Sequence, residues 1–245
     1  DPLGLAATLD KSFAKRIAIS LGIKTPEFWV LDQAEDQKEI PDQYPLFVKP
    51  LWQGSSIGIH LSSRVTNRAQ LETEVRRLFQ DGPTGPVLVE AYIPGRELTV
   101  GVVGNRTPHI LGTMEIKFHD PSKQDFCYAL EVKRNWRKEV VYTVPAPLEA
   151  DQQEKIEDAV LRLFRALRLR DVARFDFRLD QGGKFYFLEV NPLPGLSPES
   201  GDIVILAAKC GFTYADLILK IFEAALDRYR RQAKGEKIPN SGSRV

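Results

Sequence analysis

Arg174-Phe175-Asp176-Phe177-Arg178-Leu179 and Phe185-Tyr186-Phe187-Leu188-Glu189-Val190-Asn191 are two runs of alternating apolar and polar residues on either side of Gly182-Gly183. Alternation with a period of two marks a half-buried β-strand, and a Gly-Gly pair between two such runs reads as a hairpin turn. The sequence therefore predicts strands over 173–179 and 184–190. Successive strand side chains point to opposite faces, so Arg174, Asp176 and Arg178 share one face, and Glu189 and Asn191 share one face of the second strand. With Gly182-Gly183 as a two-residue loop, Gln181 lies opposite Lys184. Counting outward in antiparallel register sets Asp176 opposite Glu189 and Arg174 opposite Asn191. Two carboxylates directly across a strand pair repel. A bound divalent cation would relieve that repulsion, since two carboxylates and an amide oxygen are hard ligands of the kind Mg²⁺ takes beside nucleotide phosphates. The alternative is an ion pair of one carboxylate with Arg174 or Arg178, which makes the site structural.

The clearest helix of the chain precedes this hairpin. Over residues 151–168, Ile156, Ala159, Val160, Leu163, Phe164 and Leu167 recur at helical spacing. Glu97 to Val103 reads as a strand ending at a Gly104-Asn105 turn, and Val87-Leu88-Val89-Glu90 as another. Residues 67–80 place Leu71, Val75, Leu78 and Phe79 on one helix face, with Thr66 as the expected cap. Tyr44-Pro45-Leu46-Phe47-Val48-Lys49-Pro50 is an apolar run closed by Pro50, which reads as a strand that stops there. Residues 10–21 read as a helix capped by Asp10 and ended by Gly22. Downstream, a helix spans about 214–231, with Thr213 and Asp216 placed as a capping box. Arg228 to Arg231 reads as a solvated helix end favoured by the helix dipole, and the residues beyond as a loose tail. Helical patterns and short apolar runs alternate without an internal repeat, so the class is mixed α and β.

Composition narrows the function. A chain of 245 residues is long enough for one large domain or two small ones with a real core. Its apolar fraction of 43% and charged fraction of 27% are those of an ordinary globular protein. A net charge of +1 gives no reason to expect nucleic acid or an anionic membrane as a partner. No apolar run approaches the roughly 18 residues of a membrane span. Cys127 and Cys210 lack CxxC spacing, which excludes a disulfide scaffold and a structural zinc site and points to reduced thiols in a cytoplasmic protein. The start, Asp1-Pro2-Leu3-Gly4, has neither a signal-peptide layout nor an initiator Met, so a processed, trimmed or fragmentary chain is expected.

Gln53-Gly54-Ser55-Ser56-Ile57-Gly58 follows the strand that ends at Lys49. Small residues there let backbone N–H groups and hydroxyls approach a phosphate, and a lysine at the strand end could touch the same anion. Neither a GxxxxGK[ST] P-loop nor a GxGxxG motif is present, so those nucleotide folds lose support. Glu90 and Glu97 flank Ala91-Tyr92-Ile93-Pro94-Gly95. That spacing suits a hinge whose backbone reads an adenine edge, with an acid for the ribose; two surface acids are the alternative.

In order and spacing, these pieces resemble the D-alanine–D-alanine ligase family of the ATP-grasp superfamily. The matching stretches begin with Asp10-Lys11-x-x-x-Lys15, Gly22-Ile23-x-Thr25-Pro26 and Phe47-Val48-Lys49-Pro50. They continue through Gly54-Ser55-Ser56-Ile57-Gly58, Val89-Glu90 and Gly95-Arg96-Glu97 to Arg174-Phe175-Asp176-Phe177, Glu189-Val190-Asn191 and Pro194-Gly195-Leu196-Ser197 with Ser200. The resemblance implies an α+β ATP-grasp domain over about 8–226, with two α/β subdomains at about 20–93 and 94–226 and nucleotide bound between antiparallel sheets. Residues 227–245 would be a helix end and loose tail.

The same resemblance implies an ATP-dependent carboxylate–amine ligase of peptidoglycan synthesis. A carboxylate would take the γ-phosphoryl group and an amine would then displace phosphate from the acyl phosphate. A ligase for other amino acids or peptides, or a small-molecule kinase, is the alternative. Lys11 and Lys49 would bind the α- and β-phosphates, with Ser55 and Ser56 on a loop over the γ-phosphate and first substrate, and Lys133 near the transferred phosphate. Glu90, Tyr92 and Ile93 would line the adenine and Glu97 would hold the ribose. Asp176, Glu189 and Asn191 would hold Mg²⁺, with Mn²⁺ as the other candidate ion. Arg174 and the N–H of Gly195 would stabilise the oxyanion, and Ser200 would hold the second substrate's carboxylate. The expected partners are small amino acids or peptides, with room for a homodimer.

The chain also departs from the family pattern. A domain of roughly one hundred residues precedes this point in the family and helps bind the first amino acid. Arg134 stands where the family favours Tyr, and Gly201-Asp202-Ile203 follows Ser200 where apolar residues and Pro are usual. A planar guanidinium in that loop could anchor a further substrate carboxylate; it could equally face solvent or pair with Asp202.

Overall fold

The computed structural model of the chain describes residues 1–54, 56–82, 85–120 and 136–235. Ser55, Cys127, Lys133 and Arg134 lie outside them, so the expectations placed on these four have no structural counterpart. Two helices open the chain, α1 (Pro2–Leu9) and α2 (Lys11–Ser20). The Asp10 carboxylate accepts from the Phe13 N–H and starts α2 as expected, and Gly22 closes it with φ +71°. The helix over Pro2–Leu9 has no counterpart in the sequence reading, although Pro2 in its first turn and the Asp1 cap are ordinary start signals.

A four-stranded antiparallel sheet follows, in the order β1-β4-β2-β3, from β1 (Phe28–Leu31), β2 (Leu46–Pro50), β3 (Arg64–Val65) and β4 (Val87–Ala91). One face packs on α3 (Arg68–Asp81), where Leu71, Val75 and Leu78 bury against Leu46, Val48, Val65, Val87 and Val89. The α3 cap is Asn67, whose Oδ1 accepts from the Gln70 N–H at 3.0 Å. Thr66, the expected cap, instead donates from its N–H and hydroxyl to Gln70 Oε1. Alternation sends Lys49 and Glu90 to the opposite face, which leaves the helix and turns toward the rest of the chain.

The second sheet has the order β7-β6-β5-β8-β9, all antiparallel. It comprises β5 (Arg96–Val103), β6 (His109–Phe118), β7 (Val140–Thr143, after the short α4, Trp136–Glu139), β8 (Val172–Leu179) and β9 (Phe185–Asn191). Its inner face supplies Leu98, Val100, Phe175, Phe177 and Phe187, which pack on Ile156, Val160, Leu163 and Phe164 of α5 (Ala150–Ala166) and on Ala14 and Ala18 of α2. The Phe177 and Phe187 rings meet edge to face with centroids 5.6 Å apart. The other face is covered by α6 (Asp202–Lys209), ahead of the final α7 (Tyr214–Ala233). Gly101 and Gly112 sit opposite each other in the ladder and make room for it. A Cβ at Gly101 would stand 2.9 Å from the Leu206 side chain, and one at Gly112 would stand 2.7 Å from Cys210 Sγ.

The predicted register of the hairpin is present but is reached by a different route. Asp176 opposes Glu189 and Arg174 opposes Asn191. The turn is wider than two residues, because Asp180 N–H donates to the Lys184 carbonyl and Leu179 pairs with Phe185. A bulge between Asp176 and Phe177 takes up the extra residue at Leu188 and restores the register at the carboxylates. The basic end of α7 is also not simply solvated: Arg228 forms a two-pronged ion pair with Asp171, the shorter contact 2.7 Å. The Thr213–Asp216 capping box is as expected. Among the described residues no helix is long and apolar enough to cross a membrane.

Truncating Phe177 removes a fully buried ring from the centre of the larger core. Phe177→Ala should cost about 3–5 kcal/mol, whereas Leu193→Ala at an exposed position should stay within about 0.5 kcal/mol. Urea midpoints compared with the parent chain check both.

Candidate active site

The helix α2 ties the two sheets together. Its Ala14 and Ala18 are buried in the core of the larger sheet, while Lys11 and Lys15, one turn apart, extend to the smaller one. Lys15 is fully buried, with its Nζ 2.9 Å from Glu90 Oε2 and donating to Thr25 Oγ1 at 2.8 Å. Glu90 Oε1 accepts from Lys49 Nζ at 2.7 Å. Lys11 Nζ donates to the carbonyls of Pro50, Leu51 and Gln53 at the start of the Gly/Ser turn, and lies 3.9 Å from Glu189 Oε2 on the hairpin. Two buried ammonium groups thus share the buried Glu90 carboxylate, with the buried Lys11 close by on the side of Glu189.

Burial opposes the charge of Glu90, but Lys15 and Lys49 outweigh it and hold the carboxyl at about 2. Burial pushes Lys15 down to about 8 against the pull of Glu90, and also lowers Lys11 against the pull of Glu189. Lys49 is likewise buried, yet Glu90 and Glu189 outweigh the burial and raise it. Sharing Glu90 does not make the two lysines alike: burial is the largest cause at both, but at Lys15 the Lys49 charge adds to it, whereas at Lys49 the Glu90 and Glu189 charges together overcome it.

On the larger sheet, the Arg174 guanidinium grips two acids. Its Nη2 lies 2.8 Å from Asp176 Oδ2, its Nε 3.1 Å from Asp176 Oδ1, and its Nη1 2.8 Å from Asp202 Oδ2. Burial works against this charge, and the Asp176 and Asp202 carboxylates overcome it and raise its pKa. Asp176 also accepts from Thr99 Oγ1 at 2.8 Å and from Asn191 Nδ2 at 3.2 Å. Asp176 and Glu189 therefore do not face each other as bare anions, because Arg174 pairs with Asp176. Asp202, a departure from the family pattern, is committed to Arg174 through the approach of α6 that Gly101 and Gly112 allow.

The same residues fit a hard divalent cation. Asp176, Glu189 and Asn191 offer oxygen donors, and the Asn191 amide nitrogen already donates to Asp176. Asn191 Oδ1 lies near the Gly/Ser turn, where a Cβ at Gly54 would stand 3.9 Å away. Among the described residues no three His, Cys, Asp or Glu side chains converge, so the donor set is two carboxylates and an amide. Ser56, in the same turn, has φ +59°.

The connector between the sheets carries Tyr92 and Ile93. Arg178 donates to the Ile93 carbonyl at 3.0 Å, to the Tyr92 hydroxyl at 2.8 Å and to Glu97 Oε2 at 3.2 Å. The Glu90 side chain belongs to the lysine cluster, so only its backbone is left for this region. Gly195 and Ser200 sit on the exposed loop before α6, where Ser200 Oγ donates to Ser197 Oγ at 3.1 Å. Nothing lies within 4 Å of a Cβ built on Gly195. The sequence reading placed Lys15 only in a matching stretch, offered Arg178 and Asp202 only as alternative ion-pair partners, and did not name Thr99. Lys15 had a signal, one helical turn beyond Lys11; the other three depended on pairing between distant segments.

Two antiparallel sheets, one meeting the buried lysines of α2 and β2 beside a Gly/Ser turn and the other carrying a carboxylate hairpin, define an ATP-grasp fold. The family model for the D-ala D-ala ligase C-terminus matches residues 17–223, and the chain belongs to that family. A D-alanine–D-alanine ligase from Dechloromonas aromatica is 32% identical over 226 residues, covering 91% of this chain and 70% of the relative. An uncharacterized protein of Sinorhizobium fredii is 32% identical over 232 residues, covering 93% of this chain and 66% of its own length. The crystal structure of the VanG D-Ala:D-Ser ligase from Enterococcus faecalis superposes with a TM-score of 0.73 at 25% identity, covering 91% of this chain and 63% of that one. The chain thus spans about two thirds of the length of these proteins.

Glu90 makes the lysine cluster sensitive to acid. Its folded pKa of about 2 lies below the ordinary 4.5, so its stabilisation is complete above about pH 4.5 and lost as pH falls toward 2. Lys15 runs the other way: its depression from 10.5 to about 8 means that its buried charge costs stability below pH 8 and that the cost lifts between pH 8 and 10.5. Glu90→Gln should cost about 3–5 kcal/mol at neutral pH, because buried ammonium groups lose their counter-charge, and should flatten the acid limb. Denaturant midpoints from pH 2 to 7 test this; an acid limb of equal slope in both proteins would discard the assignment.

Proposed function

We propose that this chain is the ATP-binding and catalytic part of an ATP-dependent carboxylate–amine ligase that works through an acyl phosphate. The buried positive charge carries the reading: Lys15 and Lys49 share one buried carboxylate, Glu90, and Lys11 stands beside them at 3.9 Å from Glu189, next to a turn and a hairpin suited to phosphates and their cation. Such buried charge is costly in an empty protein and useful when a polyanion enters. Sheet strands confined to 28–91 and 96–191 support subdomains at about 20–93 and 94–226 of one ATP-grasp domain. The names of the relatives, D-alanine–D-alanine and D-Ala:D-Ser ligases, support amino-acid substrates; a role in peptidoglycan synthesis and work in the cytoplasm, where ATP is supplied, belong to the same proposal.

In this reading Lys11 and Lys49 hold the α- and β-phosphates, and Ser55, Ser56 and Lys133 attend the γ-phosphoryl group. Asp176, Glu189 and Asn191 would hold Mg²⁺, which when bound neutralises charge between phosphate oxygens. Tyr92 and Ile93 line the adenine and Glu97 takes the ribose. Arg174 has five N–H groups, of which three are committed to Asp176 and Asp202. The remaining two and the Gly195 N–H meet the oxyanion formed as the amine attacks. Ser200 and Arg134 contact the second substrate.

Lys49→Ala should weaken ATP binding roughly tenfold or more, by loss of a charge-assisted contact of about 1.5–3 kcal/mol. Unchanged calorimetric affinity would remove Lys49 from the phosphate site. ADP release across a panel of amino acids, peptides and amines, with mass detection of product, tests the reaction itself. A condensed product is expected; a stable phosphorylated product would make the protein a kinase. Glu189→Gln should depress Mg²⁺-dependent turnover strongly, and full activity at low Mg²⁺ would take the hairpin out of the site.

A further inference from the structure

Arg178 links every element assigned to the nucleoside end of the site. It projects from β8, its side chain is almost completely buried, and its nitrogens reach, among the described residues, Ile93, Tyr92 and Glu97. Nε donates to the Ile93 carbonyl at 3.0 Å, Nη2 to the Tyr92 hydroxyl at 2.8 Å, and Nη1 to Glu97 Oε2 at 3.2 Å. Its guanidinium also lies 5.0 Å from the Tyr92 ring centroid, and Arg64 of the smaller sheet lies 4.9 Å from the same centroid. The connector between the sheets is therefore held from both of them. A bound ligand that touches Glu97 touches a carboxylate whose orientation is set by a rigid fork and not by solvent. A carboxylate has lone pairs for more than one donor, so Glu97 can accept from Arg178 and from a hydroxyl at once.

We infer that Arg178 is a positioning residue for nucleotide selection: by orienting Glu97 and bracing Tyr92-Ile93, it makes the site read the ribose hydroxyls. The inference rests on the nucleotide site proposed above, though not on the ligase chemistry. A lysine could supply the charge but not the three-way fork, and a methionine could fill the volume but supply neither.

The test is calorimetric titration of the chain with ATP, 2′-deoxy-ATP and 3′-deoxy-ATP. The parent chain should bind ATP more tightly than at least one deoxy form by about tenfold, the scale of one charge-assisted hydrogen bond. Arg178→Met should weaken ATP about tenfold and the disfavoured deoxy form by less than about twofold, so that the preference collapses. Arg178→Lys should retain part of it. Glu97→Gln should abolish the same preference without disturbing Tyr92 or Ile93, and it supplies the comparison if Arg178→Met folds poorly. Equal weakening of all three nucleotides in Arg178→Met, or a preference unchanged by it, would overturn the inference and leave the nucleotide site standing. Absence of ATP binding to the parent chain would overturn the site and the inference together. Selective ATP binding without any ligated product would overturn only the ligase reading.

Discussion

The arrangement depends on one buried carboxylate. Glu90 emerges from the centre of the smaller sheet and holds Lys49 from a neighbouring strand and Lys15 from a helix whose apolar side belongs to the larger sheet. An ion pair of this kind adds little net stability over an apolar core, but removing one partner strands the other charges in a medium that solvates them poorly. Glu90 therefore acts as a constraint on geometry. It sets where two lysines stand and, through α2, how the two sheets meet.

Around that constraint the charges are divided. Lys11, Lys15 and Lys49 gather on the face of the smaller sheet opposite α3, with Glu90 among them, whereas Arg174 on the larger sheet faces Asp176 and Asp202, with Glu189 nearby. The Lys11–Glu189 contact at 3.9 Å is where the two sets touch. In the proposed function, a phosphate chain with a divalent cation would suit this division, the lysines holding the phosphates and the carboxylates the cation. Gly101 and Gly112 serve this division indirectly, since the room they leave brings α6, and with it Asp202, down onto Arg174.

Several parts of this site were legible in the sequence. Strand alternation placed Arg174, Asp176 and Arg178 on one face, and antiparallel counting paired Asp176 with Glu189, as the ladder does. The turn assumed in that counting was too tight, and the bulge at Leu188 compensated for it. Caps resolved locally: Asp10 and the Thr213–Asp216 box are as expected, while Asn67 displaces Thr66 because its side chain reaches the Gln70 N–H. The strand over His109–Phe118 and the helices over Pro2–Leu9 and Asp202–Lys209 carried weaker periodic signals and were not read.

By itself the sequence determined the elements with strong periodicity, the face each residue takes, and the residue types able to meet phosphates and a hard cation. Those properties are local, set by backbone period and side-chain chemistry, and local information suffices for them. Tertiary structure alone decided which charges neutralise which. The Arg174–Asp176 pair, two residues apart on one strand face, was already open from the sequence; that Asp202 completes that grip, that Lys15 shares Glu90 with Lys49, and that Arg178 clamps the connector all depend on segments far apart in the chain being brought within hydrogen-bond reach. Coulomb attraction in a poorly solvated interior is strong only over such distances, so no reading of spacing along the chain could have assigned those partners.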